Sequence, residues 1–371
     1  IDWEAITDVS RTTLTANSTD EELIDAMISV LDPLNDYHVS LQTDEVAYES
    51  KPLPILEQLY EEFEQQDDID DYEDYFSTQL GTWIFIVNSY LDNGMTGTLG
   101  EFSWGTALNG NIGYMQLFSM APEDEESFEE DLKQAISDLS ETHTMILDVR
   151  VNGGGDDLVS LKIASHFTSV PFLAFTKRAV DGDGFTEATE VYVEPSEEEY
   201  QYDGNVIVIM SGSSGSATEI FVMTMAELPQ TTLVGRNTAG GLSDILGRFL
   251  PNGWFVGLSD EVYLTPDGTL YEVTGVPPEI SPEADLLPLS ERVEGIDSWL
   301  ALALEKAENF STKSPTAAPT TATSPDATEA PTPGPSEART MDDDSGASSL
   351  IHNTCLHLLA GTSSFIIASL I

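Results

Sequence analysis

The sequence contains a single cysteine, Cys355, and it lies in an apolar stretch near the C-terminal end. An internal disulfide, a zinc site built from cysteines and a cysteine nucleophile in the rest of the chain are therefore excluded. The chain has 371 residues, against roughly 100 to 200 in a usual domain, so it has room for one large domain or two. A small disulfide-stapled scaffold is excluded as well.

Basic residues are also scarce. Thirteen Lys and Arg stand against 66 Asp and Glu, and the formal net charge is −53. Because a surface of this sign repels phosphate backbones and anionic lipid headgroups, nucleic acid is not an expected partner. Hydrophobic residues make up 40% and aromatic residues 9% of the chain, which excludes a wholly disordered protein.

The composition changes along the chain and predicts four regions. Residues 309–349 consist mainly of Thr, Ser, Pro and Ala, a composition that cannot bury enough apolar surface to fold and that resembles an O-glycosylated stalk. An apolar tail, 350–371, follows it. The folded part divides into a small helical region, 1–100, and a core, 101–308.

The tail predicts attachment to a membrane. It has no basic residue after its apolar stretch, and the small residues Ser345, Gly346 and Ala347 precede it, which is typical of a signal for a glycosylphosphatidylinositol anchor. A C-terminal transmembrane helix is the alternative, although too few residues follow Cys355 for the ~20 apolar residues of a spanning helix. Both interpretations predict an extracellular or cell-surface protein whose only membrane contact is this tail.

Two further features bear on location. The chain begins at Ile1 without a charged and then apolar leader, which indicates either a removed signal peptide or a fragment. The triplets that begin at Asn17 and Asn309 fit the glycan acceptor pattern of secreted proteins.

Periodicity predicts the secondary structure of the folded part. Thr19 and Glu22 form a capping-box pattern before apolar residues at helical spacing, which predicts a helix that ends before Pro33. From Gly110 onward, buried strands alternate with amphipathic helices, so we expect an α/β fold with a largely parallel central sheet flanked by helices. The stretches on either side of Ser259-Asp260 predict an antiparallel hairpin.

Two strand-to-helix junctions stand out, because ligands bind at the carboxyl ends of strands in open α/β sheets. At the first, Gly153 to Gly155 permit a tight turn whose N–H groups are open to a substrate. At the second, Ser216 follows a Gly-rich turn at the start of a helix. Each has an ordinary alternative, a simple turn for the glycines and a helix N-cap for Ser216.

The joint pattern resembles the tail-specific, or C-terminal-processing, serine protease family. That family runs as a Gly-Tyr-Ile-like strand, Asp-x-Arg-x-Asn-x-Gly-Gly, Ser-Ala-x-Glu, a Gly-x-x-Thr-x-Gly motif ending in Gly or Lys, and Gly-Val-x-Pro-Asp. The corresponding segments occur here in the same order: IGY at 112–114, DVRVNGGG at 148–155, SATE at 216–219, GRNTAGG at 235–241 and GVPPE at 275–279.

The resemblance implies a catalytic set. One branch of the family uses a lysine at the position occupied here by Gly241, so a Ser-Lys dyad is not expected. The other branch is similar to the tricorn protease core and uses a histidine and a glutamate, for which His38 and Glu272 are the candidates. Ser216 would then be the nucleophile, His38 the base and Glu272 the orienting group. The family often has a small residue where Tyr37 stands.

The same resemblance implies an oxyanion hole formed by the amides of Gly154 or Gly155 and of Ala217. Asp148 and Arg150 are expected to be structural. The expected activity is hydrolysis of peptide bonds in a peptide or protein substrate, without a cofactor or metal and without the family's usual PDZ domain. The alternative is a non-catalytic binding module of the same fold, for a hydrophobic ligand or a peptide.

Overall fold

A computed structural model of the chain describes residues 3–66, 69–97, 102–197 and 201–310. The predicted tail with Cys355 and the predicted stalk from residue 311 onward lie outside these residues. Within the described part, no helix combines the length and apolar character needed to cross a membrane.

The described residues form nine α-helices. They are α1 Trp3–Thr13, α2 Asp20–Leu31, α3 Pro54–Phe63, α4 Tyr72–Tyr90, α5 Glu125–Leu139, α6 Asp157–Ser165, α7 Ala217–Ala226, α8 Leu289–Glu294 and α9 Ser298–Asn309. The predicted capping box starts α2: the side chain of Thr19 accepts from the Glu22 N–H, and the Glu22 carboxylate accepts from the Thr19 N–H.

The same residues form thirteen strands. They are β1 Ser40–Gln42, β2 Ala47–Glu49, β3 Phe102–Ala107, β4 Ile112–Leu117, β5 Thr144–Asp148, β6 Phe172–Asp181, β7 Gly184–Phe185, β8 Thr189–Val193, β9 Asn205–Met210, β10 Thr231–Gly235, β11 Ile245–Phe249, β12 Phe255–Ser259 and β13 Glu261–Leu264.

The central sheet has the order β10-β9-β5-β4-β3 and is parallel except for its edge strand β3. Its middle strands β5 and β9 are apolar on both faces, as expected for a sheet covered by helices on both sides. Helices α5, α6 and α7 pack on one face, and α4 and α9 pack on the other. The predicted α/β class is confirmed.

A second, antiparallel sheet has the order β11-β12-β1-β2. In it, β1 from the N-terminal region pairs directly with β12, with Ser40 opposite Gly257. This pairing places the segment that carries His38 against the core region. A third sheet contains β13, β6 and β7, with β8 paired to β6.

The hairpin expected around Ser259-Asp260 is wrong, because β12 and β13 belong to different sheets. Only Asp260 separates the two strands, and a tight hairpin needs a loop of at least two residues. The N–H groups of Asp260 and Glu261 instead both donate to Ser243 Oγ, at 2.9 and 2.8 Å, where the chain passes from one sheet to the other.

A fully buried charge network ties α9 to the central sheet. Arg150 pairs with Asp148 at 2.6 Å and with Asp297 at 2.7 Å, and its guanidinium lies over the ring of Trp83. Asp297 in turn accepts from the N–H of Leu300 and caps α9. These contacts agree with the structural role expected for Asp148 and Arg150.

Candidate active site

Ser216 lies at the carboxyl end of β9, where the chain turns into α7. Its φ is 52° and its ψ is −130°, a backbone conformation that costs a non-glycine residue about 1–3 kcal/mol. Although Ser216 occupies the N-cap position, its side chain makes no capping hydrogen bond. It is partly exposed, whereas residues 213–215 and 217–225 are buried. An N-cap role therefore does not explain this serine.

The first glycine-rich junction packs directly against the second. A Cβ atom added to Gly154, whose φ is 119°, would lie 2.6 Å from the Cβ of Ser216. Asn152 sets this approach, because its Oδ1 accepts from the Gly154 N–H at 2.9 Å and from the Thr218 hydroxyl at 2.6 Å. The glycine is thus required by the close contact between the two turns.

This geometry bears on the predicted oxyanion donors. The N–H of Gly154 is already engaged with Asn152, which leaves the amides of Gly155 and Ala217 as the candidates for stabilising an oxyanion. Gly155 is itself fixed, since its φ is 149° and an added Cβ would collide with the backbone of Met120. Ala217 begins α7, where the helix dipole favours negative charge.

Tyr37 fills the space between the two glycine-rich turns. Its hydroxyl donates to the Gly153 carbonyl at 2.9 Å. Its side chain lies so close to Gly215 and Gly241 that a Cβ at either position would come within 3 Å of it. The tyrosine that departs from the family pattern therefore has a defined place beside Ser216.

His38 follows Tyr37 directly and is buried. The centroids of the two rings are 5.0 Å apart, and the backbone N–H of His38 donates to Asp36 Oδ1 at 2.9 Å. Two residues later β1 begins, and its pairing with β12 holds this segment on the core. A residue that is 178 positions from Ser216 in sequence is thus brought to the same side of the fold.

Glu219 supports the loop opposite Ser216. Its carboxylate is fully buried and accepts from the Thr238 hydroxyl and from the N–H groups of Gly240 and Gly241, at 2.5, 2.8 and 2.7 Å. Burial raises the pKa of Glu219 to about 7, although these three hydrogen bonds act in the opposite direction. The Gly241 carbonyl accepts the Ser216 N–H at 3.1 Å, so Glu219 fixes the partner of the serine backbone.

Glu272 binds the far side of the same loop, where its Oε2 accepts the Leu242 N–H at 3.0 Å. Burial raises the pKa of Glu272 to about 7; the nearby Asp36 charge acts in the same direction and Lys51 in the opposite one. The next residue, Val273, has a φ of 71°, which is rare for a β-branched side chain, and its N–H donates to the Gly240 carbonyl at 2.7 Å. Glu272 is thereby anchored to the loop at two points.

One residue at this site has no sequence signal. The Nζ of Lys51 donates to the Ala239 carbonyl at 2.5 Å, although the two residues are 188 positions apart. Nothing around Lys51 in the sequence indicates that it would reach this loop. As for metals, no three His, Cys, Asp or Glu side chains of the described residues are arranged to bind an ion.

Comparisons with known proteins agree with this architecture. Residues 111–281 match the family model described as peptidase family S41. The Carboxy-terminal-processing protease of Bartonella bacilliformis is 26% identical over 200 residues, which cover 52% of this chain and 43% of that protein. The chain therefore spans less than half the length of this relative.

The fold also matches solved structures. A crystal structure of a candidate peptidase from Parabacteroides merdae has a TM-score of 0.66 at 25% identity, covering 83% of this chain and 89% of that one. The tricorn protease matches over 54% of this chain and 18% of its own, at 23% identity and a TM-score of 0.40. Together, the ordered motifs, the fold and the family match show that residues 111–281 of this chain are similar to peptidase family S41.

Proposed function

We propose that the chain is a serine-type peptidase that hydrolyses peptide bonds through an acyl-enzyme. Ser216 is the nucleophile, His38 the general base and Glu272 the group that orients the base or stabilises its charged form. The observation that carries the proposal is the backbone of Ser216, which is held in a strained conformation against Gly154 with its side chain free of any capping bond. Such strain is characteristic of functional positions.

The steps follow from these roles. His38 removes the hydroxyl proton of Ser216 as its Oγ attacks the peptide carbonyl, and the amides of Gly155 and Ala217 stabilise the resulting oxyanion. His38 then protonates the leaving amine, which leaves an ester between Ser216 and the acyl part of the substrate. Water, activated by His38, hydrolyses that ester and restores the serine.

Glu272 supports this cycle as a carboxylate. Its pKa of about 7 means that it is protonated in acid and becomes ionised near neutral pH. An ionised Glu272 stabilises a positively charged histidine, whereas a protonated one does not. Activity should therefore fall as the pH decreases below neutrality, and protonation of His38 itself would act in the same direction.

We also propose a substrate class and a location for this protein. The similarity to a protein named Carboxy-terminal-processing protease favours substrates that are cut near their carboxyl ends. The apolar tail favours a lipid-anchored protein at the cell surface. Phosphatidylinositol-specific phospholipase C should then release the protein from intact cells; retention together with its terminal peptide would indicate a transmembrane helix.

The experiment that tests the activity combines a mixed peptide library, with products identified by mass spectrometry, and a fluorophosphonate probe that labels reactive serines. Wild-type protein should cleave peptides and take up the probe at Ser216. Ser216→Ala and His38→Ala should each abolish turnover to a similar degree, with the double variant little worse, because residues that act as a unit are not additive. Glu272→Gln should reduce turnover less.

Ser127→Ala is the matched control, because Ser127 is an exposed serine in the first turn of α5. It should retain wild-type cleavage and labelling. A folded His38→Ala variant that cleaves at the wild-type rate would contradict the mechanism. Specific binding of peptides or hydrophobic ligands without any cleavage or labelling would favour the alternative, a non-catalytic binding module.

A further inference from the structure

The segment that follows β2 runs across both loops that surround Ser216. The N–H of Ser50 donates to the Val39 carbonyl at 2.8 Å, so this segment is tied to the one that carries His38. The N–H of Ile55 donates to the buried Ser213 Oγ at 2.9 Å, in the turn that leads to Ser216. Lys51 lies between these two attachment points.

Lys51 reaches the second loop. Its Nζ donates to the Ala239 carbonyl at 2.5 Å, while the Ala239 N–H donates to the Ser214 carbonyl at 2.9 Å. Ala239 is thus held from both sides, by the N-terminal region and by the Ser216 turn. Two residues later, the Gly241 carbonyl accepts the Ser216 N–H. A change at Lys51 therefore acts on the loop that sets the serine backbone.

The charged groups that act on Glu272 have opposite signs. Asp36, on the turn before β1, and Glu219, on α7, are both carboxylates that act electrostatically on this site. Lys51 contributes the positive charge that favours ionised Glu272. His38 lies two residues from Asp36 on the same turn and adds a positive charge only when protonated.

We propose that Lys51 is a positioning residue of this site: its ammonium group fixes the Ala239 carbonyl and offsets the effect of the Asp36 charge on Glu272, so that Glu272 serves as a carboxylate. The proposal rests on the proposed peptidase function for its catalytic meaning. A neutral donor would suffice to bind a carbonyl, but only a cation favours the ionised form of Glu272. Lys51 is not proposed as the base, which remains His38.

The first test is the pH profile of kcat/KM for Lys51→Met, Lys51→Arg and the control Lys306→Met, measured on a peptide that the wild-type protein cleaves. Lys306 is a partly exposed lysine near the end of α9, and its Nζ lies 3.9 Å from Glu305 Oε1. In Lys51→Met the acid limb of the kcat/KM profile should shift to higher pH by about 1 unit, because removing a nearby positive charge raises the pKa of a carboxylate. Lys51→Arg should restore it, and Lys306→Met should match the wild type.

A purely structural role for Lys51 predicts another result, namely a rate that falls by the same factor at every pH. Finding the acid limb unmoved in Lys51→Met would therefore overturn the proposal, even if the variant were slow.

The second test does not need activity. Urea unfolding is measured from pH 5 to 9 for the wild type, Lys51→Met, Glu272→Gln and the double variant. Relative to the wild type, Lys51→Met should lose additional stability as the pH rises through neutrality, because ionised Glu272 then lacks its cation. This additional loss should disappear in the Glu272→Gln background, and its persistence there would overturn the coupling. If the wild-type protein cleaves nothing, this cycle still decides the role of Lys51, so the two proposals fail separately.

Discussion

The buried carboxyl group of Glu219 makes the stability of this protein depend on pH in a way that one substitution should remove. Glu219 is fully buried, and its pKa rises from the ordinary value of 4.5 to about 7, mainly through desolvation. A raised carboxyl pKa means that the folded state binds the proton more tightly than the unfolded state. The associated stability is present below pH 4.5 and is lost as the pH rises through about 7.

The size of this effect follows from the two pKa values. The pKa values of 4.5 and about 7 differ by about 2.5 pH units, and each unit corresponds to about 1.36 kcal/mol, so about 3 kcal/mol is lost between acid and neutral pH. The hydrogen bonds from Thr238, Gly240 and Gly241 are already included, because they act on the same pKa. A glutamine at this position cannot ionise and should not show the loss.

The assay is urea unfolding of Glu219→Gln and of the wild type at pH 5, 6, 7 and 8, followed by tryptophan fluorescence. The difference in free energy of unfolding between the two proteins should change by about 2–3 kcal/mol from pH 5 to pH 8, in favour of the variant, because part of the loss has already occurred at pH 5. Glu308→Gln changes an exposed carboxylate on α9, and its free energy of unfolding should depend on pH in the same way as that of the wild type. Parallel curves for Glu219→Gln would refute the link between burial and titration. Glu219→Gln should also cleave peptides more slowly, whatever its stability. Both oxygens of Glu219 accept hydrogen bonds from the loop, and the NH₂ group of glutamine would have to face one of these donors.

Three further outcomes follow from the contacts described. Arg150→Leu should destabilise the fold by about 3–5 kcal/mol in thermal or urea unfolding, because Asp148 and Asp297 are left buried without their cation; a loss below 1 kcal/mol would contradict the network. Gly154→Ala should lower kcat about 100-fold or more, since its new Cβ displaces Ser216; unchanged kcat in a folded variant would show that the turns do not need this contact. Basic peptides should be captured faster than acidic ones in stopped-flow binding, and the preference should shrink with added salt, because the net charge is −53; equal rates at low salt would exclude steering.

The sequence predicts the central sheet well, because β5 and β9 are continuous apolar runs and the helices between them have a clear period. It predicts the outer sheets poorly. The three-residue strand β1 has too little pattern to be recognised, and its partner β12 is more than 200 residues away. Short strands are defined by the tertiary pairs that they form, and a single sequence does not contain that information.

The site divides in the same way. Ser216 and Gly154 belong to compact local motifs, and the structure places them in contact. Glu219 belongs to the local SATE motif, but its partners Gly240 and Gly241 are provided by a distant loop, so the motif alone does not indicate what it binds. Lys51 has no local motif at all, and only the path of the chain after β2 brings it to the loop.

The small size of β1 has a consequence for heat inactivation. The residues that hold it, with α2 and β12, form a hydrophobic cluster of their own, separate from the two that cover the central sheet. Such a unit opens at a lower free energy than the whole domain. Warming should therefore detach His38 while Ser216 and its supporting loops remain folded. Heat inactivation should then be reversible. Activity would be lost at a lower temperature than the one at which the central sheet unfolds, and it would return on cooling as β1 pairs again with β12.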